Sequence, residues 1–241
     1  RVGYCWGPIG AYATHRIIGA DRVIALPDTV SDEMAAGALL KACTTEFLVE
    51  RCARVEAGQW ALVPAAAGGV GLLLIQWLKA VGATVIAVAG SIPKLELARA
   101  HGADHALLQD GDVATEVRRL TVGRGVDVVF DGVGAATFAT SLDSLKRRGL
   151  LVSFGNASGP VTGVDLGILA RKGSLFVTRP TLFDYYSGRD EIERFGGRVL
   201  EMLGSGTLKV EVGQRYALKD AAQAHRDLEA RRTVGSTILI P

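Results

Sequence analysis

The chain has 241 residues, 49% hydrophobic and 22% charged, with 30 glycines, a composition that gives a globular protein with ample core and many tight turns. The net charge of +2 is too small to point to nucleic acid, and no basic run or aromatic-interleaved patch changes that, so no nucleic-acid partner is expected. No apolar stretch reaches membrane-spanning length, because Lys79 and several glycines interrupt the longest one, so no membrane partner is expected either.

The chain opens on Arg1-Val2-Gly3-Tyr4, inside what reads as a strand and without a methionine, which predicts an N-terminally truncated part of a longer protein. Residues 10–18 read as a strand and 21–26 as another, stopped by Pro27-Asp28. Ser31 then stands as a helix N-cap, with Asp32 and Glu33 in the first turn and the helix running through 34–40. Residues 1–42 therefore read as the remnant of a mainly antiparallel domain. Cys5, Cys43 and Cys52 are an odd number without CxxC spacing. They suit a reducing compartment and argue against a disulfide framework, and the start does not read as a signal peptide.

From residue 43 to 179 the rhythm changes. A helix over 45–56 leads to a short apolar strand at 60–63, a turn of small residues at 64–71, a helix over 72–81 and a strand at 84–89. That is a βαβ unit. Pro93 opens the next helix, which runs to about residue 101 and is closed by Gly102. A strand at 106–108, a helix over 112–121, a strand at 126–130, a helix over 137–146 and strands at 150–154 and 175–178 follow. Strands alternating with helices predict an α/β doubly wound parallel sheet of the Rossmann type. After Arg179-Pro180 the rhythm breaks: a helix over 191–203, an edge-like strand at 207–212, a helix over 219–230 and a strand at 236–240. Residues 180–241 read as the chain returning to the domain that 1–42 began.

The turn at 64–71 carries the chemistry. It spells Ala66-x-Gly68-x-x-Gly71, with alanine where the dinucleotide fingerprint has its first glycine. Small residues there allow a tight turn at Ala66, close approach of a pyrophosphate at Gly68 and close helix packing at Gly71. The backbone of Ala67, Gly68, Gly69 and Val70 would face the phosphates at the positive end of the helix. After the second parallel strand, Gly90-Ser91-Ile92-Pro93-Lys94 has no acid to hold a ribose 2′-hydroxyl. Ser91 can donate to a 2′-phosphate and Lys94 can supply charge, which predicts NADPH rather than NADH. Ligands in open sheets bind beyond the carboxyl ends of the strands, which adds Val133-Gly134 and Phe154-Gly155-Asn156, with Asn156 able to hold a carboxamide. His101 and His105 are four apart, but Gly102 and Ala103 end a helix between them, so no metal site is expected. No GxSxG elbow and no HExxH are present.

AAAGGVG after a strand, FDGVG, the segment LKRRGLLVSFGNASGPVTGVDLGILARKGSLFVTRPTL and the tail LKDAAQAHRDLEARRTVGSTILIP are similar to the quinone oxidoreductases. These form the zinc-free, zeta-crystallin-like branch of the medium-chain dehydrogenase/reductase superfamily. The resemblance covers the whole chain. It implies one- or two-electron reduction of a quinone by NADPH in a cytosolic homodimer, with a GroES-like catalytic domain around the Rossmann domain. It implies that Lys94 and Arg231 hold the 2′-phosphate, that Gln109 stands where a tyrosine often joins them, and that Thr44 lies near the nicotinamide. Leu40 matches the position of a zinc-ligating cysteine in related alcohol dehydrogenases, so no zinc is implied. No catalytic residue is assigned. The alternatives are an NADPH-dependent enone or enal reductase of the same branch and a non-catalytic, crystallin-like NADPH-binding protein.

Overall fold

The computed structural model describes residues 1–7, 9–230 and 232–241. In chain order, β1 (Val2–Gly3) pairs antiparallel with β2 (Ile24–Ala25), and α1 (Asp32–Glu46) continues directly into a π-helical stretch, Phe47–Cys52. Then come β3 (Trp60–Val63), α2 (Gly69–Val81), β4 (Thr84–Ala89), α3 (Ile92–Ala100), β5 (His105–Leu108) and α4 (Val113–Leu120). They are followed by β6 (Val126–Asp131), α5 (Phe138–Ser144), β7 (Leu145–Ser153), α6 (Gly167–Arg171) and β8 (Phe176–Thr178). The chain closes with α7 (Leu182–Tyr185), α8 (Arg189–Gly204), β9 (Val212–Ala217), α9 (Ala221–Glu229) and β10 (Ser236–Ile240). It divides into two compact units, one of Arg1–Glu46, Gly68–Leu73 and Leu182–Pro241, the other of Phe47–Ala67 and Leu74–Thr181.

The second unit is an α/β sheet of six parallel strands in the order β5-β4-β3-β6-β7-β8. β3, β4 and β6 are buried along nearly their whole length, because helices cover both faces and every side chain points into core. Leu62, Ile86, Val88, Val129 and Leu151 from the sheet pack with Val113 and Val117 of α4 and Leu142 of α5. At the amino ends, polar residues tie neighbouring strands. Asp127 accepts from the Trp60 N–H at 2.7 Å and pairs with Arg124 and Lys146. Asp104 accepts from the Val85 N–H at 2.7 Å and pairs with Lys79 at 2.8 Å.

In the first unit Ser31 caps α1 as expected, its Oγ accepting from the Met34 N–H at 3.2 Å. The expected strand at 10–18 does not form: those residues are irregular, with Ile17 fully exposed and Tyr12 held by a hydrogen bond to His225 Nε2. Of the strand expected at 207–212 only Val212 is extended into a strand, as the first residue of β9. Leu208 is buried and its N–H bonds the Met202 carbonyl at 2.9 Å, closing the end of α8, and the strand comes later as β9. β9 is polar and half-exposed at alternate residues, so an apolar pattern misses it; it pairs parallel with β10.

Candidate cofactor site

β3 and β6 lie side by side although β4 and β5 intervene in sequence, so the chain leaves them toward opposite edges of the sheet. A crevice opens at the carboxyl ends of strands at such a switch point. The turn leaving β3 is fixed by backbone. Ala65 takes a left-handed φ of 52°, and the Ala66 N–H donates to the Val88 carbonyl at 2.9 Å, holding the turn against β4. The sharpest residue is thus Ala65, one before the alanine that the fingerprint spacing selects. α2 begins at Gly69, three residues earlier than the apolar run suggests.

Within the first unit, Gly69 lies against α1: a Cβ there would sit 2.8 Å from the Lys41 side chain. Lys41 Nζ donates to the Gly37 carbonyl at 3.0 Å and to Ser236 Oγ at 2.9 Å, and burial pulls its pKa below the usual lysine value. Gly68 forms a bridge with Gly235. Thr44 is half-buried on α1, and its Oγ1 donates to the Leu40 carbonyl at 2.8 Å. Nothing in the sequence singles out Lys41, because one lysine within an alanine-rich helix carries no spacing signal.

In the second unit the end of β4 is open. Ser91 caps α3 in an extended conformation, with φ −160° and ψ 156°, but its hydroxyl makes no capping bond. The nearest atom to a Cβ placed on Gly90 would be Gln109 Oε1 at 3.9 Å, so a ligand has room to approach that backbone. Gln109 is exposed, and its N–H donates to the Ala89 carbonyl at 3.0 Å. Lys94 is half-buried and makes no ion pair with any described residue.

The turns after β6 and β7 are built differently, around a carboxylate that the sequence reading missed. Asp131, 1% exposed, accepts from the N–H groups of Val133 at 2.8 Å and Gly134 at 3.0 Å. Thr137 Oγ1 and Ser141 Oγ each reach its Oδ2 at 2.7 Å. Phe154 donates its N–H to the Asp131 carbonyl at 2.8 Å, and Ser158 donates to that of Val133 at 2.8 Å. Gly155 lies so close to Gly132 that a Cβ would overlap its carbonyl oxygen. Val133, Phe154, Gly155 and Asn156 are thereby held at the carboxyl edge. Asn156 borders a cavity of about 320 Å³ that Phe138, Val164, Leu169 and Arg179 also line. An acid closing an apolar strand, with threonine and serine six and ten residues on, is the signal that could have found Asp131.

Arg231 lies outside the described residues. The two spaced histidines go separate ways: His101 Nδ1 contacts the Leu97 carbonyl at 2.9 Å, and His105 stacks on Trp60 with ring centroids 5.5 Å apart. Leu40 is exposed on α1 and Cys43 is buried. Among the described residues, no three His, Cys, Asp or Glu side chains are grouped to hold a metal ion, and no helix is long and apolar enough to cross a membrane.

The pattern of the zinc-binding dehydrogenase family matches residues 69–202. A quinone oxidoreductase of Pseudomonas aeruginosa is 46% identical over the whole of this chain, which spans 74% of that relative. The crystal structure of a quinone oxidoreductase from Pseudomonas syringae superposes with a TM-score of 0.97 at 49% identity, covering all of this chain and 74% of that one. That of the Escherichia coli quinone oxidoreductase complexed with NADPH does so with a TM-score of 0.96 at 44% identity, covering 100% and 75%. The six-stranded parallel sheet, its glycine-rich turn and these likenesses agree: the chain belongs to the zinc-binding dehydrogenase family, among the quinone oxidoreductases of the medium-chain dehydrogenase/reductase superfamily.

Proposed function

We propose that this chain reduces a quinone with NADPH as a zinc-independent, cytoplasmic homodimer. On this reading residues 43–179 are the cofactor-binding domain, and 1–42 with 180–241 are parts of a GroES-like catalytic domain. NADPH supplies the hydride, and the chain's residues bind and orient. Ser91 and Lys94 hold the 2′-phosphate together with Arg231, and Gln109 flanks it beside Gly90. The backbone of Ala67, Gly68, Gly69 and Val70 takes the pyrophosphate. Val133, Phe154, Gly155 and Asn156 meet the nicotinamide half, as does Thr44.

The observation that carries this reading is the end of β4. No carboxylate stands between Ala89 and Lys94 to repel a phosphate, the Ser91 hydroxyl is uncommitted, and Lys94 has no ionic partner among the described residues. The relative bound to NADPH supports the same choice. The test is Lys94→Glu, with binding followed by the quenching of protein fluorescence. A charge-assisted bond to phosphate contributes about 1.5–3 kcal/mol, so the NADPH Kd should rise about 10- to 100-fold while that for NADH changes little. Equal weakening of both would remove the phosphate assignment. Wild-type protein should also oxidise NADPH when a quinone is supplied, and failure with every quinone tried would remove the reductase.

A further inference from the structure

The first unit holds one lysine among neutral partners. Gly37 and Lys41 stand four apart on one face of α1. The missing side chain at Gly37 lets the helix lie close against β9 and β10: a Cβ there would sit 3.2 Å from Val212 Cγ2 and 3.5 Å from Ser236 Cβ. One turn further on, Lys41 therefore reaches the buried Ser236. Its Nζ donates to that hydroxyl at 2.9 Å and back to the Gly37 carbonyl at 3.0 Å. A lysine ammonium has three hydrogens to donate, so one is unused among the described residues. Burial, with no carboxylate to oppose it, pulls the Lys41 pKa below its ordinary value.

The stem of the same lysine lies against the glycine-rich turn. A Cβ on Gly69 would sit 2.8 Å from both Cδ and Cε of Lys41, so the bare glycine at the first position of α2 is what admits the side chain. The Gly235 carbonyl oxygen lies 3.3 Å from that same point, and the Gly235 backbone bridges to Gly68. The turn has no cation of its own: from Ala57 to Leu78 the sequence holds no lysine, arginine or histidine. The pyrophosphate of a dinucleotide is a dianion, and the N–H groups at a helix start offer it only partial charge. A half-buried cation with neutral partners, for its part, costs stability until an anion comes near.

We propose that Lys41 is a further residue of the cofactor site, supplying from α1 the positive charge that the glycine-rich turn lacks for the pyrophosphate. Ser236 and the Gly37 carbonyl position it, and Gly69 gives its stem room. This role rests on the cofactor reading proposed above, yet the two can fail separately. The pyrophosphate is common to NADPH and NADH, whereas the 2′-phosphate is not. Lys94 thus selects between the dinucleotides, and Lys41 strengthens the binding of both.

The experiment measures Kd by titration calorimetry on wild type and Lys41→Met for three ligands: NADPH, NADH and 2′-AMP, which carries the 2′-phosphate but no pyrophosphate. Methionine keeps an unbranched stem against Gly69 and removes the charge. NADPH and NADH should each bind about 10-fold more weakly, the scale of one charge in partly screened surroundings, while 2′-AMP binds as it does to wild type. The unchanged 2′-AMP affinity also shows that the variant is folded. Lys41→Gln, which keeps a donor for Ser236 without the charge, is the second variant and should lose as much. Added salt should weaken NADH binding less steeply in either variant than in wild type. Dinucleotides bound within about 2-fold of wild type by both variants would overturn the role of Lys41. So would 2′-AMP weakened as much as the dinucleotides, which would make Lys41 a support of the fold alone. Wild type that binds no NADPH would instead remove the cofactor reading, and this role with it.

Discussion

Two strand ends of one sheet turn by opposite means. After β3 the chain turns on backbone alone: small residues, a left-handed Ala65 and one hydrogen bond from Ala66 to Val88. After β6 it turns on a side chain, with the Asp131 carboxylate gathering two N–H groups and two hydroxyls. The first arrangement leaves the strand end bare, as close approach of a phosphate requires. The second turns the Asp131 carboxylate inward, so the loop it holds presents fixed backbone and the exposed side chain of Asn156. Proteins of this layout need both, because one half of a dinucleotide is anionic and the other is a flat ring.

The largest effect should come from the hub. Asp131→Ala leaves two N–H groups and two hydroxyls without their acceptor in a buried site. At roughly 1 kcal/mol or more for each, the variant should lose about 3–5 kcal/mol in urea unfolding. A loss below about 1 kcal/mol would mean that the loop holds itself, and the contrast between the two turns would fall.

This contrast also explains what could be read in the sequence. β3 and β4 were legible to the residue, because an apolar run bounded by small residues is a local signal. The Ala66-x-Gly68-x-x-Gly71 spacing was legible for the same reason. Asp131 was not, because its partners lie up to ten residues away and each is an ordinary threonine or serine. The start of β7 was misread too: Lys146, Arg147 and Arg148 look like a helix end, yet Lys146 pairs with Asp127 across the sheet edge and Arg148 takes a φ of 57°. Residues 10–18 have strand composition but no partner strand among the described residues, and composition cannot supply one.

Gly155→Ala tests the packing between the two side-chain-held loops. Its Cβ would meet the Gly132 carbonyl oxygen and lie 2.8 Å from the Gly132 Cα, and backbone cannot yield as a flexible side chain does. A destabilisation of about 2–3 kcal/mol is expected. Gly90→Ala, facing open space, is the matched control and should stay within about 1 kcal/mol of wild type.

At the opposite, amino end of the sheet, Asp127 should behave as a smaller hub. Burial alone would raise its pKa. The hydrogen bonds from Lys146 and the Trp60 N–H, and the charges of Lys146 and Arg124, outweigh burial and hold it below the ordinary carboxylate value. A lowered folded-state pKa contributes stability above the unfolded value, about 3.9, and that stability is lost as pH falls through the folded value. Asp127→Asn should therefore cost about 1–2 kcal/mol at pH 7. The gap from wild type should narrow steadily below about pH 4. A gap independent of pH would assign the loss to shape rather than charge.

The smallest effect should be at Ala65, and it bears most directly on the bare turn. Its φ of 52° costs an alanine about 1–2 kcal/mol that a glycine does not pay. Glycine loses about 0.4–1 kcal/mol through the greater freedom of its unfolded chain. Ala65 is exposed, so no packing is lost with its methyl group. Ala65→Gly should thus stabilise the fold by roughly 0.5 kcal/mol, read as a small rise in the urea midpoint at unchanged slope. Destabilisation would show that the methyl group restrains the turn. The bare strand end would then depend on side chains after all, and differ from the Asp131 loop only in degree.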